Sequence, residues 1–334
     1  MIPEDVAAAW GWSDHAIAPM VGGLINKTFV VGDRIAVLQR LHLVFEGAVN
    51  LDLEAVTDHL AARGMVTPRL IRTRDGRAWV DHDGFVWRAL TWVDGESVHA
   101  VPSPTWAEAG GRLVGRFHRA VADLTYDYKF TRTGVHDTAA HLQRLRERVD
   151  GGPDGALGRR ILAAAGELPE LPPTPSRHVH GDLKISNVMF RHEPLEALCL
   201  VDLDTVGLGT MAYELGDAMR SWCNPHGEDA GSVGFDLPIF AAAIRGFLDV
   251  AGDVLSTDER RSIVIGLETV CIELAARFAV DVFDDRYFGW DATRFASRRD
   301  HNRVRAEGQL ALGLAVRAAR DDAMAIVTDH GGDG

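Results

Sequence analysis

The sequence predicts an α+β fold with two lobes, a small β-rich N-lobe over residues 1–94 and a large, mainly helical C-lobe over residues 95–334. Short apolar runs separated by glycine-containing turns are typical of strands, and they dominate the first part. Longer segments with apolar residues at helical spacing dominate the second part. At 334 residues the chain is long enough for one large domain or for two lobes with a sizeable core.

The N-lobe elements follow from these patterns in chain order. We predict a helix within 1–18, strands at 18–21, 29–31 and 34–40, a helix at 49–63, and a hairpin of strands at 78–81 and 85–90. Trp10 and Trp12 are expected to pack the first helix on this lobe. Gly22 and Gly23 form a turn whose backbone N–H groups can approach phosphate closely, although a plain hairpin explains the pair alone.

The C-lobe pattern is helical except around one hairpin. Helices are predicted near 104–123, 137–149, 156–167, 212–222, 236–251, 257–282 and 301–327. The proline-rich segment 171–175 is expected to be a stiff, extended approach to the residues after it.

The most informative motif is His180-Gly-Asp182-Leu-Lys-Ile-Ser-Asn187, followed by Asp202 and Asp204 after an apolar run. Phosphoryl transfer from a magnesium nucleotide needs a carboxylate near the attacking hydroxyl. It also needs an amide oxygen and a second carboxylate on the metal. We therefore predict Asp182 as the base or proton acceptor, and Asn187 and Asp202 as Mg²⁺ ligands. A surface turn rich in aspartate and asparagine is the alternative interpretation.

A hairpin explains how these residues meet. Strands are predicted at 188–190 and 198–201, with a turn at 191–194 between them. Asn187 then lies at one side of the hairpin mouth and Asp202 at the other, close enough to share one Mg²⁺. Asp182 precedes the hairpin, where a substrate hydroxyl can reach it.

Composition excludes several classes of partner. The formal net charge of −13 argues against nucleic acid, which requires a basic footprint. The chain has no basic segment followed by an apolar one at its start and no apolar run long enough to span a membrane, so no membrane partner is expected. Cys199, Cys223 and Cys271 lack metal-ligand spacing and indicate reduced, mostly buried thiols and a cytoplasmic location.

The chain resembles the aminoglycoside phosphotransferase and choline kinase superfamily, with its two-lobed protein-kinase-like fold, and within it most closely the N-acetylhexosamine 1-kinase group. The matches span about residues 20 to 315. They are Asn26-Lys27-Thr28, Leu38-Gln39, Asp202-Leu203-Asp204-Thr205, Gly216-Asp217-Ala218-Met219-Arg220, Arg277-Phe278 and Tyr287-Phe288.

The resemblance implies a site for ATP and Mg²⁺ between the lobes. Its nucleotide-binding residues would be Gly22, Gly23, Asn26, Thr28, Gln39, Glu54, Thr91 and Val93. Thr91 and Val93 lie in the expected interlobe hinge, where backbone groups would bind adenine.

Gln39 and Glu54 take the places of the strand cation and the helix glutamate that position nucleotide phosphates in kinases. Gln39 can hydrogen-bond Glu54 but brings no charge, so Lys27 or Lys184 is expected to supply it. A solvated helix residue is the alternative interpretation of Glu54.

Around the catalytic loop, Lys184 matches the kinase catalytic-loop lysine that neutralises charge on the moving phosphoryl group, with a solvated lysine as its alternative. His180 is expected to be structural. Glu214 is expected to brace the loop.

Asp204, Arg277 and Tyr287 are the candidate substrate residues by the same resemblance, with Asp204 as a second metal ligand in the alternative. A salt bridge from Arg277 to Glu273 or Asp281 is the structural interpretation of that arginine. Two positions depart from the group's sugar site. Its histidine near the glycine turn is Leu24 here, and its aromatic residue after the Gly-Asp helix is Ser221, with Trp222 beside it.

These observations predict a Mg²⁺- and ATP-dependent kinase of a small polyhydroxylated molecule, with the anomeric hydroxyl of a hexose or N-acetylhexosamine as the best guess. A kinase of an amino alcohol or aminoglycoside is the first alternative. A nucleotide-binding pseudokinase scaffold is the second, and the missing cation at Gln39 is its only support.

Overall fold

The computed structural model describes residues 2–20, 26–131, 134–149, 152–229 and 233–329. Its first part is an antiparallel sheet of six strands, which are β1 (Ile17–Pro19), β2 (Lys27–Val31), β3 (Ala36–Arg40), β4 (Leu70–Ile71), β5 (Val80–His82) and β6 (Phe85–Thr91). The strand order is β1-β2-β3-β6-β4, and β5 adds to the sheet by pairing with β6. The two-residue β4 was not predicted.

Helix α1 (Glu4–Trp10) covers one face of this sheet. Trp10 stacks on Trp12 with ring centroids 5.8 Å apart, and both pack in a core with Leu38 and Trp87. The prediction that the N-terminal tryptophans pack on the small lobe is confirmed.

Helix α2 (Val49–Ala62) agrees with its predicted range. Its apolar face buries Leu53, Val56 and Leu60 in the large core of the helical part, so α2 connects the sheet to the rest of the molecule.

The chain leaves the first sheet after Thr91. Strand β7 (Glu96–Ser97) pairs with β9 (Val188–His192), which pairs in turn with β10 (Leu195–Leu200). The predicted hairpin of β9 and β10 is confirmed. The segment between β6 and β7 therefore passes from one sheet to the other, and it contains the proposed lobe boundary at Asp94 and Gly95.

The remaining structure is mainly helical, as predicted. The helices are α3 (Pro104–Val121), α4 (Thr138–Arg148), α5 (Pro153–Ala165), α6 (Met211–Trp222), α7 (Leu237–Ala251), α8 (Thr257–Asp284), α9 (Arg298–Ala318) and α10 (Arg320–Thr328). The single helix predicted at 301–327 is wrong: α9 and α10 are separate, because Ala319 leaves helical geometry with φ −99° and ψ 10°.

Two further short strands were not predicted. Strands β8 (Arg177–Val179) and β11 (Gly207–Gly209) pair antiparallel and flank the catalytic-loop motif on both sides. Isolated three-residue strands carry too little periodicity to be read from sequence.

Helices α6 and α8 pack with their backbones in close contact. A Cβ on Gly216 would lie 2.7 Å from the Gly266 carbonyl carbon, and one on Gly266 would meet the carbonyl oxygen of Ala212. The two helices thus bring their polar residues to one wall of the site. Among the helices of the described residues, none is long and apolar enough to cross a membrane.

Candidate active site

The loop 180–187 joins β8 to β9, and Glu214 of α6 holds its first residues through hydrogen bonds. The Glu214 carboxylate accepts the backbone N–H groups of His180 at 2.8 Å and Gly181 at 2.9 Å, and it contacts His118 at 3.1 Å. Burial raises the pKa of Glu214, but the hydrogen bond and charge of His118 outweigh it and lower the pKa overall. The prediction that Glu214 braces the loop is confirmed.

Backbone geometry fixes the start of the loop. Gly181 has φ +79°, and a Cβ there would lie 2.5 Å from the carbonyl oxygen of Thr205. His180 is fully buried, and its Nε2 lies 3.0 Å from the carbonyl oxygen of Val201. His180 is therefore structural, as predicted, and it fixes the start of the loop to the strand that precedes Asp202.

Asp182 lies between two polar neighbours of its own loop. The Lys184 Nζ is 2.8 Å from Asp182 Oδ2. The Asn187 side-chain nitrogen donates to the Asp182 carbonyl oxygen at 2.7 Å and to Oδ2 at 3.3 Å. The Asp182 carboxylate is thereby fixed in direction while its side chain stays 18% exposed, and it lines the main cleft.

The Lys184 ammonium group is set by opposing effects. Burial lowers its pKa, and the negative charges of Asp182, Asp217 and Asp202 more than reverse this, so the pKa is raised overall. Lys184 therefore stays protonated in the range where a kinase works, beside the carboxylate that would receive a proton.

Asn187 and Asp202 flank the open end of the β9–β10 hairpin, as predicted. The Val201 N–H donates to the Asn187 carbonyl oxygen at 2.9 Å, and Asp202 follows in left-handed backbone geometry with φ 63°. Because the Asn187 nitrogen is bonded to Asp182, its amide oxygen is the atom that remains for a cation.

The electrostatics of Asp202 fit a metal ligand. Desolvation by the surrounding protein, together with the charges of Asp204 and Asp182, raises the pKa of Asp202 to about 7. Its side chain is nevertheless open to the cleft, so water there damps this crowding. A divalent cation would relieve the repulsion among these carboxylates, and an amide with carboxylates is an oxygen donor set that suits Mg²⁺.

Asp204 occupies a different environment from the one predicted. It forms a salt bridge with Arg88 in which both side chains are only 1% exposed, and its other oxygen accepts from Asn26 Nδ2 at 2.7 Å. Both oxygens are therefore engaged by the protein. The expectation that Asp204 offers its carboxylate to sugar hydroxyls is not supported by this arrangement.

The predicted contact between Gln39 and Glu54 is wrong. Glu54 is held by Arg72, whose Nε and Nη2 lie 2.7 and 2.5 Å from its oxygens. Gln39 instead accepts from Arg88 Nε at 2.8 Å and donates to Thr28 Oγ1 at 3.2 Å. The charged group beside Gln39 is Arg88, whose own ion-pair partner is Asp204. The supply of charge to the nucleotide phosphates by Lys27 or Lys184 stays a prediction.

Arg88 was missed by the sequence reasoning, although a signal existed. It is the one charged residue of β6, and the antiparallel register places it directly opposite Gln39 of β3. A charged side chain in an apolar central strand is buried only with a partner, so it indicated a polar network.

The structure describes some of the remaining candidate nucleotide-binding residues and not others. Gly22 and Gly23 lie outside the described residues. Asn26 is buried and accepts the His42 N–H at 2.9 Å through its side-chain oxygen. Thr91 ends β6 and binds the backbone of Arg69 through both its N–H and its hydroxyl, and Val93 follows in the segment between the two sheets.

Of the two positions that depart from the sugar-kinase pattern, the structure describes one. Leu24 lies outside the described residues. Ser221 Oγ accepts the Ile185 N–H at 3.3 Å, and the buried Trp222 donates its ring N–H to the Leu183 carbonyl at 2.8 Å. Both α6 residues support the catalytic loop.

A cleft of about 1550 Å³ opens in front of Asp182 and contains the other substrate candidates. Arg277 and Tyr287 both line it, far along the chain from Asp182. Tyr287 is 61% exposed, and the Arg277 guanidinium lies over the Phe288 ring at 5.7 Å. The structure therefore brings Asp182, Lys184, Asp202, Arg277 and Tyr287 to one cavity.

One wall of this cleft was not anticipated. His136 stacks on Tyr213 with centroids 4.5 Å apart, and its Nδ1 lies 3.1 Å from Glu273 of α8. Thr138 also donates to Glu273, at 2.5 Å. Glu273, a glutamate in the apolar stretch of α8, was the sequence signal for this wall.

This fold and site define a family. The profile of the phosphotransferase enzyme family matches residues 17–244, so the chain belongs to that family. It is a small-molecule kinase, a phosphotransferase with an alcohol group as acceptor, and the enzyme class and α+β kinase-like fold predicted from the sequence are confirmed.

Among curated relatives, a homoserine kinase of Granulibacter bethesdensis is 26% identical over 245 residues, covering 70% of this chain and 67% of that protein. A homoserine kinase of Xanthobacter autotrophicus is 27% identical over 224 residues, covering 63% and 64%. The chain thus spans about two thirds of the length of these two relatives.

Among solved structures, an amicoumacin kinase in complex with AMP-PNP and Ca²⁺ has a TM-score of 0.61 at 14% identity, with 87% of each chain covered. A spectinomycin phosphotransferase in complex with ADP has a TM-score of 0.61 at 11% identity, covering 94% of this chain and 97% of that one. At these identities the likeness concerns the fold.

Proposed function

We propose that this chain transfers the γ-phosphoryl group of ATP to a hydroxyl of a small polar molecule held in the cleft before Asp182. The observation that carries the proposal is the arrangement of Asp182 between Lys184 and Asn187 at the cleft, with Asp202 across the hairpin mouth. Such an arrangement serves positioning and charge stabilisation, which dominate phosphoryl transfer.

Each residue has a definite task in this reaction. Asp182 orients the substrate hydroxyl and receives its proton. Lys184 places positive charge beside the transferring group. Asn187 and Asp202 would hold Mg²⁺, which supplies charge neutralisation of the nucleotide phosphates when bound.

The nucleotide would lie between a covering lobe of residues 1–94 and a catalytic lobe of residues 95–334. In this proposal Gly22, Gly23 and Thr28 approach the phosphates, and the backbone at Thr91 and Val93 reads the adenine. Gln39 acts through Arg88, and Glu54 acts together with Arg72, which it contacts.

Two substrate candidates are supported by different observations. Homoserine is favoured by the names of the curated relatives, and its hydroxyl is an ordinary alcohol. The anomeric hydroxyl of a hexose or N-acetylhexosamine rests on the resemblance of Arg277 and Tyr287, which both line the cleft, to sugar-contacting positions. Such a hydroxyl is more acidic, so a weakly basic Asp182 would suffice.

The other two classes have less support. Arg277 in the cleft wall repels the cationic groups of choline and aminoglycosides, and only the acidic balance of the chain favours them. The pseudokinase interpretation depended on the missing cation at Gln39, and Gln39 does contact a cation, Arg88, which is itself paired with Asp204.

An ADP-release assay with Mg·ATP tests the proposal against homoserine, hexoses, N-acetylhexosamines, choline and aminoglycosides, with NMR of any product. A phosphorylated alcohol whose formation is abolished by Asp182→Asn is the expected result. Turnover that survives this substitution at more than about a tenth of wild type would contradict the proposed role of Asp182.

A further inference from the structure

Arg277 is a half-buried arginine without an ion-pair partner among the residues that the structure describes. Its natural partners would be the carboxylates at i−4 and i+4 of the same helix, Glu273 and Asp281. Glu273 is engaged instead by His136 and Thr138. The salt-bridge interpretation of Arg277 is therefore wrong for Glu273.

Asp281 is engaged just as fully. Its carboxylate accepts the backbone N–H groups of residues 286, 287 and 288 at 2.8 to 3.0 Å, and the side chain of Asn302 at 2.8 Å. Both acids flanking Arg277 thus serve other groups. A half-buried guanidinium that stacks on an aromatic ring but has no carboxylate partner is a group that an anionic ligand would satisfy.

A second cavity of about 360 Å³ lies behind Arg277. It shares part of its lining with the main cleft, namely Gly134, Val135, Arg277, Tyr287 and Phe288. Its other wall is the face of α4 that carries His141, Arg144 and Arg148, together with Arg286 after α8. Arg277 therefore stands between the main cleft and a smaller, arginine-rich space.

This second cavity is positively charged in a chain whose formal net charge is −13. Four arginines line it against two aspartates, Asp281 and Asp284. Asp284 is shared by Arg148 at 2.8 Å and Arg286 at 3.4 Å. Arg144, like Arg277, has no carboxylate partner within the described ranges.

His141 adds little positive charge to the cavity. Its Nε2 lies 3.1 Å from the carbonyl oxygens of both Gly134 and Val135. Burial lowers the pKa of His141, and the charges of Arg277 and Arg144 lower it further against the opposing effect of Glu273. The free positive charge of the cavity is therefore carried by the two arginines.

We propose that the second cavity binds an anionic substituent, a carboxylate or a phosphate, of the alcohol that Asp182 phosphorylates. Arginine holds such groups through two parallel hydrogen bonds, which fixes orientation as well as charge. The reaction itself rests on the proposed function. The cavity adds the substrate class: an acidic or zwitterionic alcohol, anchored at Arg277 and Arg144 with its hydroxyl directed to Asp182.

The first test measures anion binding without catalysis. Inorganic phosphate is titrated into the nucleotide-free protein by calorimetry, for the wild type, Arg277→Met and Arg144→Ala. Arg146→Ala is the matched control, because Arg146 is an exposed arginine of the same α4 and lines neither cavity. We expect each cavity variant to weaken binding by about 10-fold or more, as for loss of a charged hydrogen bond, and the control to bind as the wild type does.

The second test compares alcohols that differ only in the anionic group: homoserine with its carboxamide, and a hexose with its uronic acid and its 6-phosphate. The acidic member is expected to have the higher kcat/KM. Arg277→Met and Arg144→Ala should remove that preference mainly through KM. The carboxylate and phosphate members distinguish which anion the cavity takes.

The outcomes separate the two proposals. The anion-subsite proposal is contradicted if the acidic and neutral alcohols have equal kcat/KM, or if neither variant weakens phosphate binding. Either result leaves the proposed kinase reaction unaffected. Phosphate binding that depends on Arg144 and Arg277, with no turnover of any alcohol, retains the subsite and overturns the proposed reaction. Arg144 is exposed, so its variant is expected to fold even if Arg277→Met does not.

Discussion

At the scale of single residues, the site depends on carboxylates placed in unequal surroundings. Asp182 is oriented by Lys184 and Asn187, Asp202 is open to the cleft, and Asp204 is sealed against Arg88. Their proximity costs free energy without a cation, because like charges repel and burial separately disfavours the charged form of a carboxylate. Each carboxylate therefore has a distinct expected response to substitution.

Replacing Asp182 with asparagine should remove turnover while leaving nucleotide affinity within about 3-fold of wild type. The amide keeps the size and most hydrogen bonds of the loop but cannot receive the hydroxyl proton, which is worth about 10²- to 10⁴-fold in rate. Steady-state kinetics and calorimetry with Mg·AMP-PNP measure the two effects. A large loss of nucleotide affinity with normal turnover of bound substrate would contradict the assignment.

Because the pKa of Asp202 is raised, we expect the stability of the protein to depend on pH. Its pKa is raised from 3.8 in the unfolded chain to about 7 in the folded protein, so the folded state binds the proton more tightly. Stability from this group is fully present below about pH 4 and is lost as the pH rises through about 7. Without metal, Asp202→Asn should therefore raise the melting temperature more at pH 8 than at pH 5.

Thermal unfolding in EDTA at the two pH values measures this difference, and Asp127→Asn, a substitution outside the cleft, is the control. Excess Mg²⁺ should stabilise the wild type at pH 8 and not the variant. A variant that is destabilised equally at both pH values would show that the Asp202 carboxylate is not under electrostatic strain.

At the scale of elements, the packing of α6 on α8 brings Glu214, which supports the catalytic loop, next to the helix that carries Glu273 and Arg277. Gly266→Ala should destabilise the protein by about 1–3 kcal/mol, because its Cβ would collide with the Ala212 carbonyl and force the helices apart. Gly252→Ala is the control, since its Cβ meets only ordinary contacts at 3.5 Å. Calorimetric unfolding of both variants checks this, and equal stability would show that the interface can yield.

At the scale of the whole molecule, Arg88 and Asp204 join the first sheet to the turn that follows the catalytic hairpin. Removing one partner of such a buried pair leaves an uncompensated charge, and Arg88→Met should cost about 3–5 kcal/mol. Arg88→Met combined with Asp204→Leu should recover most of that stability. Nucleotide affinity should remain lower than in the wild type, because the network through Gln39 and Asn26 is gone.

Thermal unfolding and calorimetry with Mg·AMP-PNP separate these two effects, and Arg88→Lys tests whether charge alone suffices. Full recovery of nucleotide affinity in the double variant would show that the Arg88–Asp204 pair contributes to stability and not to nucleotide binding. Unchanged stability in Arg88→Met would contradict the burial argument itself.

The sequence by itself determined the features that depend on near neighbours in the chain. The His180–Asn187 motif, the hairpin that follows it and the helical range of α2 are local patterns, because hydrogen bonds and apolar periodicity act over a few residues. Composition likewise excluded nucleic acid as a predicted partner.

Only the tertiary structure decided which distant residues meet. Arg88 and Asp204 are 116 residues apart, and His136 and Glu273 are 137 apart. A motif gives the identity of Asp204 or Arg277 but not which groups have already satisfied it. Packing buries Asp204 in an ion pair with Arg88. It also gives the two acids that flank Arg277 other partners, so the charge of Arg277 is left for a ligand.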